Sequence, residues 1–223
     1  MQVLLVVVLT AAVFGGLAFY LLSRDNGQEP IWALATVFLI GLAAAQLAGV
    51  INDKLIPYPV DTSIGFVGAL VVGIIPGIYE EILKSLPVAF FVGNQSFFRQ
   101  PSDGVIYFAF SGLAFGLLEN IQYTVQFGAM VGFDRLLTLL FFHAATNGIF
   151  GWYFFRARQR GDWKIAVRAA IFLMLAHAVY NFSVAYAGAI PLLRMVAYVI
   201  SVVLSVLLIR VYVLARKDDR QAR

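Results

Sequence analysis

Tyr79-Glu80-Glu81-Ile82-Leu83-Lys84 sets two adjacent carboxylates and a lysine inside sequence that otherwise reads as lipid-facing, with the apolar stretch 64–75 ahead of it and Pro87-Val88-Ala89-Phe90-Phe91-Val92 behind. Charges at bilayer depth are costly unless partners or a wet cavity compensate them, which makes these residues functional candidates. The other polar residues within apolar stretches are few: Glu119-Asn120, His143 with Asn147, and His177 with Asn181. The two histidines are the only ones in the chain, and each has an asparagine at i+4 on the same helix face. Glu80 and Lys84 share a face in the same way, and Glu81 is an i,i+3 neighbour of Lys84.

Two hydrolytic sites can be built from this set. In one, His143, His177 and a carboxylate, with Glu119 the preferred third ligand, bind zinc and leave a position open for water, while Glu80 or Glu81 is the general base. In the other there is no metal: a glutamate activates water, the histidines and Asn181 hold the oxyanion, and Lys84 tunes the glutamate pair. Adjacent carboxylates in a low dielectric titrate as a coupled pair. Both schemes hydrolyse a carbonyl compound in a wet pocket open to the outer face.

Taken singly, each residue also has a structural use. An intramembrane His or Asn bonds a neighbouring helix, Glu80 and Lys84 can neutralise one another, and Gly112, Gly116 and Gly148 permit close helix approach. An ion- or proton-coupled transporter draws on the same residue types, but no repeated halves are visible. A non-catalytic membrane scaffold or chaperone would not need the glutamates.

The elements that must position these residues follow from composition. The chain is 61% hydrophobic and 13% charged, with a mean hydropathy of +0.87, against roughly 25% charged in ordinary soluble domains. Seven apolar stretches are long enough to cross a ~30 Å hydrocarbon core: roughly 3–22, 31–51, 64–92, 105–127, 136–155, 165–187 and 191–214. The expected fold is all-α, a polytopic helix bundle integral to the cell membrane. It divides into two N-terminal helices (1–63), a catalytic four-helix core (64–187), and a last helix with a cytoplasmic tail (188–223). The lipid bilayer is its surroundings, and nucleic acid is not an expected partner. The absence of cysteine excludes disulfides, thiolate ligands and a cysteine nucleophile. The first stretch lacks a basic n-region and a small-residue cleavage site, so it reads as a retained span.

Turn formers mark the connections: Asp25-Asn26-Gly27 with Pro30, Pro57 and Pro59, Gly93-Asn94, and Pro101-Ser102-Asp103-Gly104. Pro76 interrupts the over-long third stretch, so residues 64–75 are expected to lie along the outer interface or re-enter, with the crossing starting near Pro76. Residues 215–223 read as a solvated tail.

Twelve basic residues fall on one side of a seven-span chain: Arg24, Arg99, Arg156, Arg158, Arg160, Lys164, Arg168, Arg210, Arg216, Lys217, Arg220 and Arg223. Lys54, Arg135 and Arg194 fall on the other. Positive residues mark the cytoplasmic side, so the N-terminus is expected outside and the C-terminus inside. At 1.5 Å per residue, Glu119 lies about 21 Å from the inner end of its span and His143 about 10 Å below its outer end. His177 is near mid-span, and the glutamate pair falls in the outer half. Four consecutive spans thus bring carboxylates and imidazoles to one level.

Glu80-Glu81-x-x-Lys84, Phe115-x-x-x-Glu119-Asn120, His143 with Gly148, and His177-x-x-x-Asn181, in that order on successive spans, resemble the PrsW-type intramembrane proteases, relatives of the CAAX-processing prenyl proteases and the bacteriocin-processing group. The likeness covers roughly residues 70–185. The prenyl-protease branch has a histidine where this chain has Glu119, and its basic residue lies one place further from the glutamate pair. The resemblance implies that Glu80 and Glu81 match the catalytic glutamates and that Glu119, His143 and His177 complete the site. It implies a single-pass membrane protein as substrate, typically an anti-sigma factor, cut first near the outer surface. It leaves the cofactor open between zinc and none.

Overall fold

In lipid no water is present to bond free N–H and C=O groups, so long apolar stretches satisfy their backbones internally as helices. The computed structural model describes residues 1–23, 29–55 and 64–221, and among them the chain forms seven helices. They are α1 (Gln2–Ser23), α2 (Ile31–Leu55), α3 (Phe66–Val92), α4 (Pro101–Phe127), α5 (Ala129–Arg160), α6 (Lys164–Ala185) and α7 (Leu192–Gln221). Six are long and apolar enough to cross a membrane. The exception, α5, qualifies only as two segments taken together, Ala129–Leu136 and Phe141–Arg160, whose axes differ by 41°. The all-α membrane bundle expected from composition is the fold observed.

The bundle is built round α4, which packs against α1, α2, α3, α5 and α7. Val105 to Ala109 and Leu113 to Phe115 on it are wholly buried. Helices in lipid gain no hydrophobic drive toward one another, so their approach depends on small residues and close packing. Two seams show this. On α4 a Cβ at Gly112 would collide with the carbonyl of His143, so only glycine lets the helices meet there. On α3, Gly73 and Gly77 lie one turn apart against α6, and a Cβ at Gly77 would come within 2.6 Å of the Ala178 nitrogen. The first seam fixes His143 against α4; the second brings the glutamates of α3 beside His177.

Three expectations need correction. Pro76 does not break the third span: α3 runs unbroken from Phe66 through Pro76 and Pro87 to Val92. Its 27 residues make a helix about 40 Å long, and tilting accommodates the excess over the hydrocarbon core without a break. Pro101-Ser102-Asp103-Gly104 is not a turn but the first turn of α4. Proline suits the first helical position, and Asp103 closes the end by accepting from the Arg99 and Gln100 amides at 2.6 and 2.8 Å. The C-terminal residues are not all a solvated tail either. Helix α7 continues to Gln221, Ala215 and Asp219 are buried, and Asp219 accepts from the Ser102 amide at 3.4 Å. A carboxylate at a helix N-terminus is favoured by the exposed amides and the helix dipole. The turn formers Asp25-Asn26-Gly27, Pro57 and Pro59 lie outside the described residues.

Candidate active site

Glu80, Glu81 and Lys84 are all buried on α3. Glu81 Oε1 accepts from Lys84 Nζ and from His177 Nδ1, both at 2.7 Å. The same ammonium donates to Thr146 Oγ1 at 2.8 Å and reaches His143 Nδ1 at 3.0 Å. Below it, α3 is tied to its neighbours through the Lys84 carbonyl, which accepts from Ser111 Oγ at 3.2 Å and Asn147 Nδ2 at 3.3 Å. Asn147 Nδ2 also donates to the Phe108 carbonyl at 2.8 Å, while its Oδ1 accepts from Ser85 Oγ at 2.6 Å.

These partners assign the imidazole tautomers. An ammonium has no lone pair, so His143 Nδ1 accepts from Lys84 and its Nε2 carries the hydrogen. That Nε2 lies 2.7 Å from Glu119 Oε2, and Glu119 Oε1 in turn accepts from Arg135 Nη2 at 2.9 Å. Arg135 rests its guanidinium over the Tyr123 ring, 3.8 Å from the centroid, which adds a cation–π contact to the ion pair. For His177 the order is reversed. Nδ1–H donates to Glu81, so in the neutral ring Nε2 keeps its lone pair, and that nitrogen lies 3.5 Å from Glu80 Oε2. A carboxylate behind an imidazole is the usual way of presenting the other nitrogen to a metal or a proton.

Glu80 differs from the other two carboxylates. Glu81 is paired with Lys84 and Glu119 with Arg135. Among the described residues, no lysine or arginine pairs with Glu80. Its neighbours are His177 and the side-chain amide of Asn52, which donates to Oε1 at 3.4 Å. Asn52, from the end of α2, is itself held by the Tyr79 hydroxyl. Glu80, His143 and His177 each offer one ligand atom, all within 4.8 Å of one another. One carboxylate and two imidazoles are a donor set suited to zinc. The imidazoles pack among aromatic rings, with Phe115 4.7 Å from His143 and Phe142 4.9 Å from His177 between centroids, leaving the glutamates as the polar face.

Comparison with known proteins gives the family of the chain. A family model described as PrsW family intramembrane metalloprotease matches residues 29–209. The chain belongs to the PrsW family. The matched region takes in Asn52, Arg135 and every ionisable residue of the cluster. The chain is also similar to Protease PrsW of Oceanobacillus iheyensis, 26% identical over 180 residues, covering 78% of this chain and 81% of that one. Protease PrsW of Bacillus subtilis is 28% identical over 171 residues, 74% and 76% of the two chains. That of Clostridioides difficile is 27% identical over 195 residues, 82% and 80%. No solved structure matches the chain. As a PrsW protein it is an integral membrane peptidase acting on protein, which sets aside the transporter and scaffold alternatives.

The residues singled out from sequence divide in two. Glu80, Glu81, Lys84, Glu119, His143 and His177 meet in one connected cluster. Glu119, however, is not the carboxylate grouped with both imidazoles. It is held by Arg135, and Glu80 takes that position. The three asparagines have other roles. Asn120 is packing glue, donating to Thr10 Oγ1 at 2.9 Å and the Gly132 carbonyl at 3.2 Å. Asn147 braces the backbone of α3, and the half-buried Asn181 makes no side-chain hydrogen bond among the described residues. Sequence reading missed Asn52, Thr146 and Arg135. Arg135 fell just outside the expected fifth span and was counted as a loop charge. The available signal was its position eight residues before His143, about two turns away and roughly 80° round the helix.

Proposed function

We propose that this protein cuts a single-pass membrane protein at a peptide bond on the extracytoplasmic side of the bilayer, with Glu80 handling the proton of the attacking water. The observation that carries this reading is the setting of Glu80: a buried carboxylate that forms no ion pair with a lysine or arginine among the described residues, beside a lone-pair nitrogen of His177 and within ligand distance of His143. A general base must be held in place yet free to change protonation. Glu81 and Glu119, each tied to a cation, are less suited and act instead to orient His177 and His143.

In this reading Glu80 takes a proton from water as the water oxygen bonds to the scissile carbonyl carbon. Lys84 and Arg135 offset the charges of Glu81 and Glu119, so that these two carboxylates do not oppose a developing oxyanion as strongly as bare charges would. Glu80 then returns the proton to the amide nitrogen as the C–N bond breaks, leaving a carboxylic acid and an amine. Zinc also fits these donors: Glu80, His143 and His177 would hold it, and when bound it supplies a Lewis acid that polarises the carbonyl, in which case Glu80 would be a ligand and not the free base of the metal-free reading. His143 would have to exchange its contact with Glu119 or Lys84 to take part.

The substrate suggested by the resemblance is an anti-sigma-type protein, whose first cut outside the membrane permits a second inside it. The positive-residue bias supports an outer-half site. The test is co-expression with epitope-tagged single-pass anti-sigma-type proteins of the same cell, with immunoblots for a shortened membrane fragment. Wild type should yield the fragment and Glu80→Gln should not. A fragment indifferent to Glu80→Gln would overturn the assignment. Metal analysis of purified wild type against His143→Ala with His177→Ala decides the cofactor: stoichiometric zinc lost in the double variant supports the zinc site.

A further inference from the structure

A second polar feature lies beside the cluster, in the wall between α2 and α4. A cleft of about 370 Å³ opens there, bordered by Gln46, Gly49, Asn52 and Asp53 of α2 and by Gln122 and Gln126 of α4. Val50, Ile121, Tyr123 and Val125 line it as well, and Leu47, Val50 and Val125 are exposed on the outside of the bundle. Across it Gln122 Nε2 donates to Gln46 Oε1 at 3.1 Å. That single bond leaves one amide with its NH₂ and the other with its carbonyl oxygen, and neither has another partner among the described residues. Interchanging N and O in either amide still leaves donor and acceptor capacity at the mouth of the cleft. Polar groups facing hydrocarbon are expensive unless something hydrogen-bonds them.

An unwound polypeptide has the complementary need. A membrane-spanning substrate must open its helix to expose a peptide bond, and each freed N–H and C=O at that depth then lacks a partner. We infer that the α2–α4 cleft is the docking site for the unwound main chain of the substrate beside the cut bond, with Gln46 and Gln122 bonding its peptide groups as a strand edge would. The inference rests on the protease reading of the Glu80 cluster and adds the path by which substrate reaches it. Asn52 joins the two, since it borders the cleft and donates to Glu80.

The native chain has no cysteine, so introduced ones report without background. In a Glu80→Gln protein, Val50→Cys in the cleft is compared with Leu175→Cys on the apolar outer face of α6. Each is co-expressed with the tagged single-pass protein that wild type shortens, carrying one cysteine walked through its cleavage region. Mild oxidation should link substrate to position 50 and not to position 175. In the active enzyme, Gln46→Leu with Gln122→Leu should raise KM about tenfold while kcat stays within about threefold, and Gln122→Asn should recover part of the loss. Equal linkage at positions 50 and 175, or an unchanged KM in the Leu pair, overturns the docking site. If cleavage depends on Glu80 but no cleft linkage forms, only this inference falls. If no substrate shows Glu80-dependent cleavage, the protease reading falls with it.

Discussion

At the scale of single residues, three glutamates on two helices have been given different work by their cations. Lys84 is central, since one wholly buried ammonium serves Glu81, His143 and Thr146 together. Lys84→Met should therefore cost about 3 kcal/mol or more, because it strands a buried carboxylate and leaves the His143 Nδ1 and Thr146 hydroxyl without their donor. Adding Glu81→Gln to Lys84→Met should restore part of that loss, since the stranded charge is gone, and thermal unfolding of the single and double variants in detergent measures the coupling. Glu80→Gln should behave differently. It keeps shape and the ability to accept from Asn52, so its unfolding temperature should stay near that of wild type while cleavage falls by about 10²–10⁴-fold. A destabilised Glu80→Gln protein with residual turnover near wild type would make Glu80 a structural residue instead.

At the scale of elements, the site depends on how closely α3 and α6 approach. Gly77 sits where a Cβ would meet the nitrogen, Cα and Cβ of Ala178, one position after His177. Gly77→Leu should force the helices apart, move Glu81 off the His177 Nδ1 and abolish cleavage, with the milder Gly77→Ala costing about 1–3 kcal/mol through overpacking. Full activity in Gly77→Leu would show that the seam does not position the site. Why some of the site was legible in sequence and some was not follows from the same geometry. Glu80, Glu81, Lys84, His143 and His177 were found because ionisable residues are rare in apolar stretches. Asn52 and Arg135 were missed because they lie at helix ends, and α2 and α5 extend past the hydropathy-defined spans of 31–51 and 136–155. Which carboxylate joins both imidazoles depends on the rotation of α3 and α4 about their axes, which the one-dimensional pattern does not carry. The seven helices and their order needed only apolar length.

At the scale of the whole molecule, three contacts gather one end of the bundle. Arg158 Nη1 donates to the Phe98 carbonyl, joining the end of α5 to the α3–α4 connection. Asp219 near the end of α7 accepts from Ser102 at the start of α4, and the Tyr212 hydroxyl donates to the Leu21 carbonyl at the end of α1. The ends of α1, α5 and α7 and the start of α4 thus lie together, as alternating spans require. It is also the end rich in basic residues, where Arg156 stacks its guanidinium on Trp152 at 4.5 Å from the centroid. Basic side chains of this kind collect on the cytoplasmic side, with tryptophan at the interface. Asn52 and Arg135, near the end of α2 and the start of α5, belong to the opposite end, so the proposed orientation would put the candidate cluster nearer the outer surface. Single cysteines in this cysteine-free chain can test the orientation. Ile190→Cys, between α6 and α7, should react with a membrane-impermeant maleimide in intact cells. Asp162→Cys, between α5 and α6, should react only after the cells are opened. The reverse pattern would turn the protein over, place the site beneath the cytoplasmic surface and remove the physical basis for an extracytoplasmic first cut, while leaving the arrangement of Glu80, His143 and His177 unchanged.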